Sequence, residues 1–321
     1  MPLLPKLTQV PTLADIQATH EAIKPLIHRT PLLQSTSINE IAGAEIYFKC
    51  ENFQKIGAFK MRGGASAALR LTEAEKSKGV ATHSSGNHAQ AVARSAQELD
   101  ISAYIVMPSN APSIKQAATR GYGAEVILCE PTLQSRESTL EEVVAKTGAT
   151  FIHPYNDYNV IAGQATAALE ILEDTDDLDI IMAPVGGGGL ISGTSLTTAY
   201  LSPNTKVIGA EPSEVDDAYR SFHSGVLQKN ETTNTVADGL RTSLGPKTLG
   251  IIRDHVEEIY LVEEQEIIDA MRLTWERMKL IIEPSCAVPL AAVLKYPEVF
   301  SGKKIVIIIT GGNVDINHLP F

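Results

Sequence analysis

The chain has 321 residues, long for one hydrophobic core, and its 44% hydrophobic and 20% charged composition is that of an ordinary globular protein. A net charge of −11 argues against nucleic acid and anionic membrane as partners, but says little about a small anionic substrate, which feels local charge. Cys50, Cys129 and Cys286 are odd in number and far apart, which argues against a disulfide framework or zinc site and fits a reducing cytoplasm.

Each cysteine reads most simply as a small apolar filler. No apolar run approaches the roughly 18 to 20 residues that span a bilayer. The first residues, Met1 to Lys6, lack the charged and apolar regions of a signal peptide.

In chain order, apolar runs predict strands at Glu45–Lys49, Val80–Thr82, Ser102–Met107, Glu125–Cys129 and Thr150–Ile152. Further ones are Ile180–Met182, Lys206–Ala210, Glu258–Leu261 and Lys304–Ile309. Most are continuously apolar, as strands covered on both faces should be. Helical periodicity fills the stretches between, among them Ala111–Arg120, Ser135–Lys146 and Glu263–Lys279. This βαβα order predicts an α/β protein of open, mostly parallel twisted sheets flanked by helices. The rhythm predicts a small domain, 75–152, inserted in a larger one made of 1–74 and 153–321.

Ligands of open α/β sheets bind beyond the carboxyl ends of strands. Four polar segments follow strands: Ser84–His88, Gly186–Gly189, Glu211–Asp217 and Thr310–Asn313. The second is the most telling. Gly186, Gly187, Gly188 and Gly189 run from an apolar strand into a helix start at Leu190. Side-chain-free backbone lets several N–H groups turn toward one point, and a helix N-terminus adds partial positive charge. Such a loop suits a phosphate. Its pattern is neither G-x-G-x-x-G nor a P-loop, so a dinucleotide or ATP is not its default ligand.

The segment Gly57-Ala-Phe-Lys-Met-Arg-Gly-Gly64 places Lys60 between an aromatic and an Arg-Gly-Gly turn. With Ser84-Ser-Gly-Asn-His-Ala-Gln90, the tetraglycine loop and Thr310-Gly-Gly-Asn313, in that order, the set resembles the fold-type II pyridoxal-phosphate enzymes. The resemblance is strongest to the serine racemase and serine/threonine dehydratase group. Val236-Ala-Asp-Gly239 and Trp275–Pro284 extend it, and it covers nearly the whole chain.

The resemblance implies a tryptophan-synthase-β-like fold and a set of roles. Lys60 would carry pyridoxal phosphate and, once freed, take the substrate Cα proton, which requires a neutral amine. Phe59 would pack beside the cofactor ring and Asn87 would bond its hydroxyl. Backbone N–H groups of Gly186 to Leu190 would hold its phosphate, and Thr310 would face its pyridine nitrogen. The Ser84–His88 loop, with Ser84, Ser85, Asn87 and His88, would take the substrate α-carboxylate, and Asp238 would border the substrate. The same loop also reads as a plain strand-to-helix turn with serine at the N-cap.

Ser85 would face Cα from the side opposite Lys60, which permits racemisation without requiring it. Thr310 stands where serine is commoner, and a neutral hydroxyl there favours elimination of a β-hydroxyl. Arg136 either reaches the pocket to pair a second substrate carboxylate or is a surface helix arginine beside Glu137 and Glu141. Glu211 and Asp217, with the Val215 carbonyl between, match a structural Mg²⁺ or Ca²⁺ site; on residues alone they read as a solvated acidic helix start.

Lys279 and Gln90 sit where some relatives contact ATP at a dimer interface. A homodimer is expected. Ala58 and Gly64 replace the group's usual serine and alanine. Tyr155 and Tyr158 make the segment after Pro154 bulky. No regulatory domain is expected beyond Phe321, so isoleucine feedback is not. The expected activity is β-elimination from a β-hydroxy amino acid, chiefly L-serine to pyruvate and ammonia, with serine racemisation. Alternatives are an L-threo-3-hydroxyaspartate ammonia-lyase, an aspartate or serine racemase, a β-replacement synthase and a non-catalytic sensor.

Overall fold

In the computed structural model of the protein, residues 4–84, 86–111 and 113–321 are described, apart from the Ile114 side chain. Two sheets organise the chain. The larger contains β1 (Leu32–Gln34), β2 (Glu45–Cys50), β7 (Ile180–Pro184), β8 (Lys206–Pro212), β9 (Glu258–Val262) and β10 (Lys304–Ile309). The smaller contains β3 (Val80–His83), β4 (Ala103–Pro108), β5 (Glu125–Cys129) and β6 (Thr150–Phe151). Strand order is β1-β2-β10-β7-β8-β9 in the first and β5-β4-β3-β6 in the second. Every pairing is parallel except β1 with β2. The predicted α/β class with two mostly parallel sheets is therefore correct.

Strand β10 shows why. Its Lys-Ile-Val-Ile-Ile-Ile run is β-branched and sits between β2 and β7. Ile305, Ile307 and Ile309 pack on one face with Phe48, Met182 and Val288 of the helix Pro284–Lys295. Val306 and Ile308 pack on the other with Ile181, Leu190 and Ile252. Both faces are dry, so alternation disappears from the sequence.

Since the strands run parallel, Gly186, Glu211 and Thr310 all emerge at one edge of the larger sheet. A second device joins Lys60 to that edge. The backbone around Ala58 bridges Gly311 in antiparallel sense. Phe59 N–H donates to the Thr310 carbonyl at 2.9 Å, and Gly312 N–H to that of Gly57 at 2.9 Å. Lys60 then opens the helix Lys60–Ala68.

That helix is held from beneath by buried charge. The Arg62 guanidinium donates to both oxygens of Glu51 and both of Glu170, each at 2.8 Å. Lys49 donates to Glu170 at 2.7 Å. All four side chains are at most 1% exposed. Gly64, where an alanine is usual, also has its reason. A Cβ there would lie 3.0 Å from the Ala91 carbonyl oxygen of the helix Asn87–Glu98. Among the described residues, no helix is long and apolar enough to cross a membrane.

Candidate active site

Strand β7 ends at Pro184, and the helix Gly189–Leu201 follows directly upon the glycines. Gly188 takes the left-handed conformation at the N-cap, φ 82°, and no side chain caps this helix. The loop and first turn are nevertheless buried. A buried helix start that lacks a side-chain cap among the described residues suits an anion. Nothing but glycine fits its wall: a Cβ on Gly187 would lie 2.2 Å from the Tyr155 ring, and one on Gly188 2.7 Å from Leu244. The cofactor phosphate expected from the sequence fits this cradle.

Lys60 points toward the same region. Its half-buried amine donates to the Pro154 carbonyl at 2.8 Å and lies 5.1 Å from the Phe59 ring centre. Burial lowers its pKa to about 8, against the opposing pull of Glu283. That is the electrostatic setting a Schiff-base lysine needs.

Asn87, first residue of its helix, donates to the Glu283 carboxylate at 2.9 Å and accepts from the Asn313 amide at 2.8 Å. Glu283 is itself buried, and burial, then the charge of Asp238, raises its carboxyl to about 7. Sequence reasoning gave Glu283 no role. It lies inside the quoted Trp275–Pro284 match, but a glutamate before proline reads as a helix-entry residue, and its partners are distant in sequence.

The Ser84–His88 loop leaves β3 as expected, but its N-cap is Gly86, not serine, with no side-chain cap bond. Instead the Ser84 hydroxyl accepts from Gly86 N–H at 3.2 Å. Ser85 lies outside the described residues. His88 is 3% exposed. One ring nitrogen meets the Ile152 carbonyl at 3.0 Å, and burial, then the Lys60 charge, depresses its pKa well below normal. Two further imidazoles join it. His83 stacks on Phe151, and His153 meets Tyr155 edge-on at 4.7 Å between centres. His153 is held near pKa 4 by burial first and His83 second. Single histidines beside proline or serine gave no signal of this grouping.

Arg136 is half-buried on the helix Leu133–Thr147 and makes no ion pair with Glu137 or Glu141 among the described residues. Its charge is the second cause, after burial, that lowers the His83 pKa. Asp238 opens a short turn and pairs with Lys115 of the smaller sheet's layer at 2.9 Å. Tyr155 sits in the site against the glycine loop. Tyr158 does not, lying instead under Lys247.

Thr310 is 4% exposed and follows β10. Its hydroxyl meets the Cys286 thiol at 3.1 Å. That corrects the reading of Cys286 as an apolar filler, since this thiol is built into the site's polar network.

The acidic segment also differs from its plainest sequence reading. Glu211 lies within β8, and Asp217 opens the helix Asp217–Ser224. Both are fully buried, so this is not a solvated helix start. Glu211 accepts the N–H groups of Ala218 and Tyr219 at 3.2 and 2.9 Å. Asp217 accepts Leu244 N–H at 2.9 Å, yet its Oδ1 is buried without a partner. Burial raises both carboxyls, Asp217 to about 6, and the Asp217 charge raises Glu211 further. Two buried carboxylates, an orphan oxygen and the adjacent Val215 suit a hard cation. Among the described residues, no group of three or more acidic, His or Cys side chains forms a metal cluster.

Comparison with known proteins agrees with this geometry. The chain is 51% identical over 312 residues to "beta-hydroxyaspartate dehydratase" of Paracoccus denitrificans (strain Pd 1222), covering 97% of this chain and 99% of that one. It is 50% identical over 312 residues to "Serine racemase" of Dictyostelium discoideum, covering 96% of each. The crystal structure of serine racemase from Dictyostelium discoideum superposes with a TM-score of 0.91 over 95% of this chain and 99% of that one. A family model described as "Pyridoxal-phosphate dependent enzyme" matches residues 23–311. The chain thus belongs to the pyridoxal-phosphate dependent enzymes, in their fold-type II branch.

Proposed function

We propose that the protein is an ammonia-lyase that eliminates the β-hydroxyl of a β-hydroxy-α-amino acid, converting L-serine to pyruvate and ammonia and interconverting L- and D-serine. The carrying observation is Lys60, its amine lowered to about 8 by burial, in the same site as the buried, uncapped tetraglycine helix start. Bound through Lys60, pyridoxal phosphate supplies an electron sink for the substrate α-carbon. Gly186 to Leu190 hold the phosphate, Phe59 flanks the ring, and Asn87 bonds its hydroxyl. Ser84, Ser85, Asn87 and His88 hold the α-carboxylate, with Asp238 at the border. Lys60 takes the Cα proton on one face, and Ser85 serves the opposite face. Ser85→Ala should abolish racemisation and spare L-serine elimination; equal loss of both would reduce Ser85 to substrate positioning.

A second reading is favoured by one observation. Arg136, which forms no ion pair with Glu137 or Glu141 among the described residues and whose charge acts on His83, supports L-threo-3-hydroxyaspartate as substrate, its second carboxylate paired to the guanidinium. An aspartate racemase would use the same pair. The relative named beta-hydroxyaspartate dehydratase adds weight. Turnover of serine and hydroxyaspartate isomers, with chiral analysis of residual substrate, decides between the readings.

Residues 75–152 form the small mobile domain that closes over the large one, 1–74 with 153–321, and excludes water. The Lys115–Asp238 pair across the two layers supports this. Glu211, Asp217 and the Val215 carbonyl hold Mg²⁺ or Ca²⁺ in a structural role. The enzyme works as a cytoplasmic homodimer. Exposed Phe53 and Ile281 beside the groove that Lys279 lines support a second copy there. ATP as an effector finds support only in Lys279, since Gln90 is buried.

A further inference from the structure

Cys286 is the third residue of the helix Pro284–Lys295 and is fully buried. Its sulfur sits at a three-way junction. Gly311 N–H donates to it at 3.0 Å. The thiol can donate to the Gly311 carbonyl at 2.9 Å, and at 3.1 Å it can donate to or accept from Thr310 Oγ1. Burial, reinforced by the Glu283 charge, raises its pKa, so it keeps its proton. One S–H therefore faces two acceptors. The Gly311 carbonyl also receives Glu283 N–H at 3.1 Å, so it has a partner whichever way the thiol points. Thr310 Oγ1 has no other side-chain or backbone partner among the described residues. A hydroxyl as buried as Thr310 should not be left half-satisfied.

The polarity of this pair matters. Sulfur is a weak acceptor and already receives the Gly311 amide. If the thiol donates to Thr310, the threonine proton is released for an acceptor on the cofactor side. An aromatic ring nitrogen with its lone pair is such an acceptor, whereas a protonated one is not.

We propose that Cys286 is a positioning residue: its thiol donates to Thr310 and so fixes the threonine hydroxyl as a donor to the unprotonated ring nitrogen of bound pyridoxal phosphate. This rests on the placement of Thr310 beside that nitrogen. It deepens that reading by assigning what sets the hydroxyl's direction.

The test compares wild-type holoenzyme with Cys286→Ala, Cys286→Ser and Thr310→Val. Three readouts are used: cofactor dissociation constant, the pH dependence of the bound cofactor's visible band, and the ¹⁵N shift of ring-labelled cofactor. Cys286→Ala should weaken cofactor binding about three- to tenfold, the size of one net hydrogen bond. It should move the pH midpoint of the band by about half a unit or more. Serine, which restores a donor, should return both to wild type. A packing role alone would lower the melting temperature without moving the midpoint or the ¹⁵N shift.

If Cys286→Ala matches wild type in all three, the proposal is overturned. If Thr310→Val also matches, the placement of Thr310 beside the ring fails first. If it departs while Cys286→Ala does not, only the thiol's role is lost. The Raman S–H stretch needs no substitution at 286. It should shift in Thr310→Val, and an unmoved band would overturn the proposal even if Cys286→Ala did not fold.

Discussion

At the scale of single residues, burial sets the reactivity of one amine. Lys60 sits near pKa 8, so its neutral, nucleophilic form grows as pH rises through that value. Cofactor uptake by apoprotein should therefore accelerate from pH 7 to 9 and level off above. A rate flat across that window would mean the amine is not shifted. Arg136 allows a sharper split between substrates. If it pairs a second carboxylate, Arg136→Ala should cut kcat/KM for hydroxyaspartate about 10- to 100-fold, with serine changed less than about threefold. A parallel fall for both substrates would return Arg136 to a structural part.

Lys60 was legible in the sequence because its flanking residues form a pattern over a few positions. Glu283 and Cys286 were not, since each meets partners that only the fold brings near: Asn87 for one, Thr310 and Gly311 for the other. Asp217 was ambiguous for the same reason. An acidic pair looks alike in sequence whether solvated or buried, and only burial separates the two.

At the scale of elements, the glycine loop and the lysine helix carry the proposed site. In the loop, Gly187→Ala would drive a methyl to 2.2 Å from the Tyr155 ring. Cofactor affinity should fall at least about tenfold, measured by equilibrium dialysis. Unchanged affinity would show that the loop does not shape the phosphate site.

In the helix, Arg62 holds Glu51 and Glu170 in a neutral, buried quartet with Lys49. Arg62→Met leaves two carboxylates sharing one cation and should cost about 3–5 kcal/mol in urea unfolding. A loss below about 1 kcal/mol would contradict that ledger.

Most strands were legible because parallel, doubly covered strands write continuous apolar runs. Strand β1 was not. Three residues, Leu32 to Gln34, carry no period, and an antiparallel edge strand is set by its neighbour rather than its own sequence. Strand β8 ran past its predicted end to Pro212, since pairing with β9 continues there.

At the scale of the whole molecule, the buried acids should tie stability to pH and, through the proposed cation site, to a divalent cation. Asp217 rises from 3.8 to about 6 on folding, so the folded state binds more protons between those values. By linkage, metal-free protein should be most stable below about pH 4 in this respect and lose stability as pH rises through about 6. The loss from Asp217 is at most about 3 kcal/mol, with Glu211 adding in the same direction. Mg²⁺ or Ca²⁺ should remove the effect at neutral pH, and chelator should restore it. Melting curves at pH 4 to 8, with and without cation, check this. Identical curves would remove the metal assignment.

The proposed chemistry depends on one covalent bond, between Lys60 and the cofactor. The direct measurement is borohydride reduction of the holoenzyme followed by peptide mass mapping. The account predicts phosphopyridoxyl mass on the peptide containing Lys60, and none in Lys60→Ala, which should also lack the cofactor's visible band. Label on another lysine, or normal turnover by Lys60→Ala, would contradict it.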